Sequence, residues 1–352
     1  MTSIFRPSRL VAMTTALLAA FGSVAVTAQA GTTTRSDTLS GVWCLLATRC
    51  LAVGGQNAGP LVEAWNGAQW RAQHAPGAAG SDLFDVSCTS RSNCIAVGGG
   101  GPQGDLTLAE AWNGSSWRVT PTPSLPAGNQ EFGVSCKGSQ CVAVGRSMLA
   151  ELWRGGKWRR IPVLRPHPFS AGELDDVSCA SPSFCVAVGF YFTSVQGNAI
   201  SLAELWNGTR WRLLSPPGGG FNGVSCPSTT FCMAVNVNTA ATWNGHRWRQ
   251  STIPGAFGNG PGVAKVSCVS ASACMAIGFY RASGGHNIAK FWNGSKWRTL
   301  FAPRPFGLTD VSCTRADRCI AVGSTQTFKA GARTIAERWN GKTWQLLRSL
   351  NP

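Results

Sequence analysis

One unit of forty-odd residues recurs seven times, and this periodicity constrains the fold more than any other feature of the chain. Each copy holds an apolar segment ending in a cysteine, a short polar turn, a second cysteine opening an apolar run, a variable stretch, and then two tryptophans. The first cysteines are Cys44, Cys88, Cys136, Cys179, Cys226, Cys268 and Cys313, spaced by 42 to 48 residues. The tryptophans keep step in pairs five residues apart, from Trp65/Trp70 and Trp112/Trp117 to Trp339/Trp344. A unit of this size cannot bury its apolar residues alone, so copies must stack and share a core.

Within a unit the pattern reads as four short strands. In the second copy these are Phe84 to Cys88, Cys94 to Gly98, Leu108 to Trp112 and Trp117 to Val119. A polar turn, Thr89 to Asn93, separates the first two, and Asn113-Gly114 supplies a tight hairpin signal before the fourth. A flat array of twenty-eight strands would leave long unpaired edges, whereas radial wrapping buries the faces of each sheet against its neighbours. The expectation is an all-β, seven-bladed β-propeller with four antiparallel strands per blade, covering 41–352. The tryptophans read as packing between blades. Every unit is contiguous in sequence, so the first and last blades are expected to meet by packing alone.

The run Ile95-Ala96-Val97-Gly98-Gly99, followed by Ala109-Glu110-Ala111-Trp112 and then Trp117-Arg118, resembles the kelch repeat. That family has a strand ending in a double glycine, a strand ending in an aromatic residue, and a tryptophan about five residues later. The second glycine occurs only at Gly55 and Gly99, and the cysteine pair is foreign to kelch blades. The resemblance implies a propeller whose first strand lines a central channel. The Gly-x-x-Trp hairpins also resemble the Asp-box of sialidases, with Trp112 and its counterparts where the aspartate would stand.

The cysteines close arithmetically. Cys44/Cys50, Cys88/Cys94, Cys179/Cys185, Cys226/Cys232, Cys268/Cys274 and Cys313/Cys319 are C-x5-C, and Cys136/Cys141 is C-x4-C. An even count with one pair per hairpin predicts one disulfide per blade, each worth about 2 kcal/mol, and no metal site. Arg6 and Arg9, the uncharged stretch Leu10 to Val26, and Ala28-Gln29-Ala30 have the form of a cleaved signal peptide over 1–30, followed by a tail over 31–40. Arginine and lysine number 24 and 7, which with abundant Ala and Gly fits a bacterial source. A secreted, monomeric protein without a membrane span is expected. Only 13% of residues are charged and 44% are hydrophobic, which excludes disorder and coiled coil.

In an up-and-down blade, alternate turns lie on opposite ends of the ring. The cysteine turns and Asn-Gly turns therefore share one face, and the variable loops share the other, where binding is expected. Arg146, Tyr191, Tyr280 and Arg281 are the candidate anchors there. Phe190 and Phe279 read rather as caps over blade edges. Three residues before each first cysteine stand Gly41, Asp85, Gly133, Asp176, Gly223, Lys265 and Asp310. If the first strand lines the channel, Asp85, Asp176, Lys265 and Asp310 ring it, either binding a basic or hydroxyl group or capping backbone amides. Arginine follows the second tryptophan in six units, as at Arg71 and Arg118, giving a basic belt.

Catalytic material is sparse. The four histidines are scattered, no cysteine is spare, and no G-x-S-x-G or H-E-x-x-H motif occurs. Glu63, Glu110, Glu151, Glu204 and Glu337 occupy one repeat position and so read as structural. The resulting expectation is an exported, non-catalytic binding or scaffold propeller without a cofactor. Its partner would be an anionic or neutral envelope glycan or an exported protein, not nucleic acid. The alternative is a glycan-active hydrolase or lyase at the channel mouth, with Tyr191 or Tyr280 paired to Glu173.

Overall fold

The computed structural model describes residues 36–100, 106–123, 130–236, 238–254, 265–280, 286–301, 307–327 and 331–350. The expected targeting segment and its cleavage site lie outside them. Twenty-eight strands form seven four-stranded antiparallel sheets, each built from four consecutive strands. The blades span 38–73, 82–119, 131–160, 171–214, 223–252, 265–300 and 308–347. The first strand, β1 (Thr38–Leu46), begins inside the segment expected as a tail. The other six inner strands are β5 (Asp82–Ser90), β9 (Glu131–Lys137), β13 (Ala171–Ser181), β17 (Gly223–Ser228), β21 (Lys265–Ser270) and β25 (Leu308–Arg315).

Local chemistry fixes each blade. All seven disulfides form as expected: Cys44–Cys50, Cys88–Cys94, Cys136–Cys141, Cys179–Cys185, Cys226–Cys232, Cys268–Cys274 and Cys313–Cys319. Each joins residues on the first two strands of its blade, with Cα atoms 3.9 to 4.1 Å apart. In six hairpins an asparagine Oδ1 accepts the amides two and three residues on, as Asn113 does from Ser115 and Ser116. The following glycine takes the positive φ this turn demands, 101° at Gly114. The two tryptophans flanking the turn are cross-strand partners with ring centroids 5.4 to 5.7 Å apart. They pack against the preceding blade: Trp65 and Trp70 share a buried cluster with Ile320 and Val322, and Trp206 and Trp211 with Val142 and Val144.

The seven first strands stand side by side around a channel, and side chains stitch each to the next. The serine of Val-Ser-Cys accepts the amide of the next blade's first cysteine. Ser87 takes Cys136 N–H, Ser135 takes Cys179, Ser178 takes Cys226, Ser225 takes Cys268 and Ser267 takes Cys313, all at 2.9 Å. Ser312 accepts from Cys44 at 3.0 Å, across 268 residues of sequence. Closure by packing alone is thus corrected. Blade 7 meets blade 1 through the bond used inside the ring, reinforced by Asp37 N–H donating to Ala332 O and Thr309 Oγ1 donating to Leu39 O.

The recurrent third-strand glutamates Glu63, Glu110, Glu151, Glu204 and Glu337 are each 0% exposed. Two of them hold segments that run between blades, while Glu337 accepts from the Asn287 side chain and Glu151 lies against Glu131. Glu110 accepts the amide of Gly77 at 2.9 Å, and Glu204 that of Leu164 at 3.1 Å. Lys290, standing where another blade has glutamate, donates to the carbonyl of Pro254 at 2.7 Å, so the charge reversal is matched by a reversed backbone partner. Burial raises Glu63 and Glu337 to about 8 and Glu110, Glu151 and Glu204 to about 7.

Two outcomes follow from this wiring. Ser87→Ala strands the buried Cys136 amide and should destabilise the fold by about 1–2 kcal/mol in denaturant melts. For the glutamates, the unfolded chain ionises near pH 4.5 while the folded carboxyls keep their protons to pH 7–8. The native state therefore binds more protons in that window, and stability falls as pH rises through it. The melting temperature under non-reducing conditions should drop between pH 5 and pH 8; a rise would contradict the buried, protonated ring.

Candidate functional site: the channel mouth and variable-loop face

The channel is a cavity of about 910 Å³ lined by the inner strands of all seven blades. A β-bulge in the inner strand decides which side chains reach it. The register slips between Leu39 and Gly41, Leu83 and Asp85, Leu174 and Asp176, and Leu308 and Asp310. In consequence the leucines before the slip are buried between blades, while in three of these strands the bulged residue and its successor both line the channel. Phe84 with Asp85, Asp175 with Asp176, and Thr309 with Asp310 are such pairs.

The two cysteines of a blade, treated alike in the sequence reading, have different places. The first cysteine of every blade lines the channel. The second stands one strand further out and does not reach it: Cys141, Cys185, Cys232, Cys274 and Cys319 are at most 4% exposed and packed within the blade cores. Cys50 and Cys94 are equally buried, at the base of a separate groove between blades 1 and 2. These second cysteines are therefore staples of the fold, with no part in the channel site.

The position three before the cysteine follows a rule of alternation. Asp310, Asp85 and Asp176 each precede a blade carrying Gly41, Gly133 or Gly223 at the same place. Each aspartate reaches across the joint to the amide just after that glycine: Asp310 to Val42 at 2.7 Å, Asp85 to Val134 at 2.8 Å and Asp176 to Val224 at 2.9 Å. The glycines matter on their other side, where the next strand approaches closely. A Cβ on Gly41 would sit 2.7 Å from Asp85 Cα, and one on Gly133 would sit 3.0 Å from Asp176 Cα. The seventh position is Lys265, whose Nζ lies 3.4 Å from Asp176.

Thus Asp85, Asp176, Lys265 and Asp310 all stand in the channel, and the amide-capping reading describes what the aspartates do there. Two further acids line the mouth: Glu173, named in the sequence reading only as a partner for tyrosine, and Asp175, which that reading missed. Burial raises Asp175 to about 7, with Glu173 beside it pushing the same way. Burial likewise raises Asp310 to about 7 and Asp85 well above its ordinary range. For Lys265, burial opposes the charge, but Asp176, Asp85, Asp310 and Asp175 together raise the ammonium above its usual value. Lys265 therefore sits among four carboxyl groups, Arg146 counters the fifth, Glu173, and carboxyls outnumber cations at the mouth.

Around this mouth the candidate anchors divide. Arg146 is exposed, with its guanidinium 6.0 Å from the Phe132 ring, and Phe132 lies 6.3 Å from Phe84. It closes a tight loop in which Ser147 and Met148 take φ of 57° and 60°, with Met148 buried beneath. Tyr191 is half-buried and stacks on Phe169 at 6.5 Å. Cross-strand pairing sets Glu173 opposite Phe190 and Tyr191 opposite Gly172, so Glu173 and Tyr191 leave opposite faces of blade 4. That overturns the Tyr191–Glu173 pairing on which the hydrolase alternative drew. Tyr280 ends a strand, paired with His286, and Arg281 lies outside the described residues.

On the opposite face the two regular hairpin types meet, as expected. Gly67, Gly114, Gly208 and Gly294 lie against Thr48, Ser92, Ser183 and Ser272 of the cysteine turns. The basic belt is present on the outermost strands, where Arg71, Arg118, Arg159, Arg212, Arg249 and Arg298 are all exposed. Among the described residues no group of three or more His, Cys, Asp or Glu is disposed to hold a metal ion.

No family model matches the chain, and no curated protein matches it. Solved propellers do. YCF48 from Cyanidioschyzon merolae is 12% identical over 87% of this chain and 96% of its own, with a TM-score of 0.58. The WD40 β-propeller domain of Doa1 gives 0.58 at 12% identity, covering 85% of this chain and 92% of that one. YCF48 bound to D1 peptide gives 0.54 at 15% identity, over 86% and 92%. The chain is a seven-bladed β-propeller whose structural neighbours include WD40 repeats.

Removal of the channel cation gives a direct test of the electrostatics. Lys265→Met should lower the melting temperature more at pH 8, where the facing carboxyls ionise, than at pH 5, where Asp310 and Asp175 hold protons. Equal losses at the two pH values would deny the coupling.

Proposed function

We propose that this is an exported, non-catalytic binding propeller that seats a segment of another exported protein on its variable-loop face, over the acidic channel mouth. The observation that carries the reading is the excess of carboxyl groups there. Glu173 and Asp175 line the channel together with Asp85, Asp176 and Asp310; Lys265 faces the four aspartates and Arg146 faces Glu173. A basic side chain entering from the loop face would find partly desolvated carboxylates and the aromatic walls of Phe84 and Phe132. Arg146, Tyr191, Tyr280 and Arg281 would contribute at the rim. That one structural neighbour is a propeller bound to a peptide supports the mode of binding.

Export rests on two supports. Seven disulfides favour an oxidising, extracellular environment, and the first thirty residues have the form of a cleaved signal. No helix among the described residues is long and apolar enough to cross a membrane. We keep the kelch-like character and bacterial source as part of this reading.

The test is affinity capture from exported proteins and from isolated cell envelope, at low and high salt, with the wild type and Glu173→Gln/Asp175→Asn. A captured protein whose binding drops at least tenfold in the double variant supports the reading. Retention of an uncharged glycan, equally by both forms, would point to the glycan partner instead. Turnover of a chromogenic glycoside that is lost in the double variant would replace the binder with a hydrolase.

A further inference from the structure

The joint between blades 1 and 2 differs from the others, and the difference opens a groove on the face opposite the variable loops. Six joints carry a serine one residue before the first cysteine, bonded to the next blade; blade 1 carries Trp43. The indole cannot make the serine's bond, and it lies half-buried against the blade 2 core instead, together with Leu51 and Trp112. A cavity of about 430 Å³ results, with Trp43 on its inner wall between groove and channel. The corresponding space at the joint of blades 7 and 1, where Ser312 stands, is about 60 Å³. There Arg338 precedes the first tryptophan and fills the gap that small Ala64 leaves here.

The lining chemistry specifies an occupant. The body of the groove is apolar, and three exposed arginines stand at its edge: Arg49, Arg71 and Arg91. No carboxylate is among the lining residues. Gln69, in the amide orientation that satisfies both groups, accepts from Arg71 Nε at 3.1 Å and Nη2 at 2.9 Å, which holds that guanidinium in place. Trp112 Nε1 donates to the Arg91 carbonyl at 3.0 Å and fixes the turn that carries the second cation. Cavities of roughly 300–1,000 Å³ with apolar walls and a few polar groups are the usual form of small-molecule sites.

We infer that the groove binds a small amphipathic anion, a flat apolar ring system bearing a sulfonate or carboxylate. The rings would lie against Trp43 and Trp112, and the acid group would face Arg49, Arg71 and Arg91. This site is separate from the channel mouth and stands whether or not the channel reading holds.

The probe is 8-anilinonaphthalene-1-sulfonate, followed by fluorescence titration of the full chain, with uncharged N-phenyl-1-naphthylamine as comparison. A single saturable site is expected, at least tenfold weaker for the neutral analogue and weakened by salt. Trp43→Ser removes the indole wall and introduces the serine used at the other joints, so affinity should fall at least tenfold with the melting temperature retained. Arg49→Gln/Arg71→Gln/Arg91→Gln alters only exposed side chains and decides the matter should Trp43→Ser fail to fold; it too should lose at least tenfold. Glu173→Gln/Asp175→Asn should leave the titration unchanged. Absence of saturation, wild-type affinity in either groove variant, or equal binding of the neutral analogue overturns the proposal.

Discussion

The ring depends on one kind of interaction: a short side chain on one inner strand accepting a backbone amide from the next. Neighbouring inner strands belong to different sheets, so no ladder of main-chain bonds joins them. Serine, and in three places aspartate, supplies the missing acceptors. An amide facing a joint without an acceptor would suffer the full desolvation penalty. Apolar packing of tryptophans and leucines holds the blades together, but it is tolerant of sliding. The side-chain bonds fix the vertical register of each blade against its neighbour, and with it the height at which every channel residue stands.

That register explains why acids can line a narrow channel. Each aspartate has both oxygens committed to amides, one on its own strand where Asp85 meets Val86, and one across the joint. The glycine opposite leaves the approach open, and Lys265 supplies the countercharge. Two of the buried third-strand glutamates obey the same economy of partners: Glu110 and Glu204 each meet a single amide of a passing backbone segment. The second oxygens of Glu110 and Glu204 lack a partner, which is consistent with carboxyls raised to about 7.

Much of this was legible in the sequence because it repeats. Blade number, strand order, disulfide pairing, tryptophan packing and the segregation of hairpin types all follow from spacing. Asp175 was not legible as a mouth residue, because strict alternation along a strand would send either it or its neighbour Asp176 into the core. Only the bulge before Asp176 turns both Asp175 and Asp176 toward the channel. The mode of closure was hidden for a related reason: Ser312 and Asp310 read like their counterparts elsewhere, and nothing in the pattern says that their partners are Cys44 and Val42. Trp43 was visible as a departure from Val-Ser-Cys, yet its meaning emerges only once the serine's partner is known.

Because every sheet is assembled from neighbouring strands, and the seam between blades 7 and 1 uses the same bond as five interior joints, the circle has no privileged starting point. The covalent break could be moved to another linker without dividing a blade or a disulfide. A chain permuted in this way would keep its architecture, and the number of blades would be governed by angular fit at each joint, not by a clasp between the two ends.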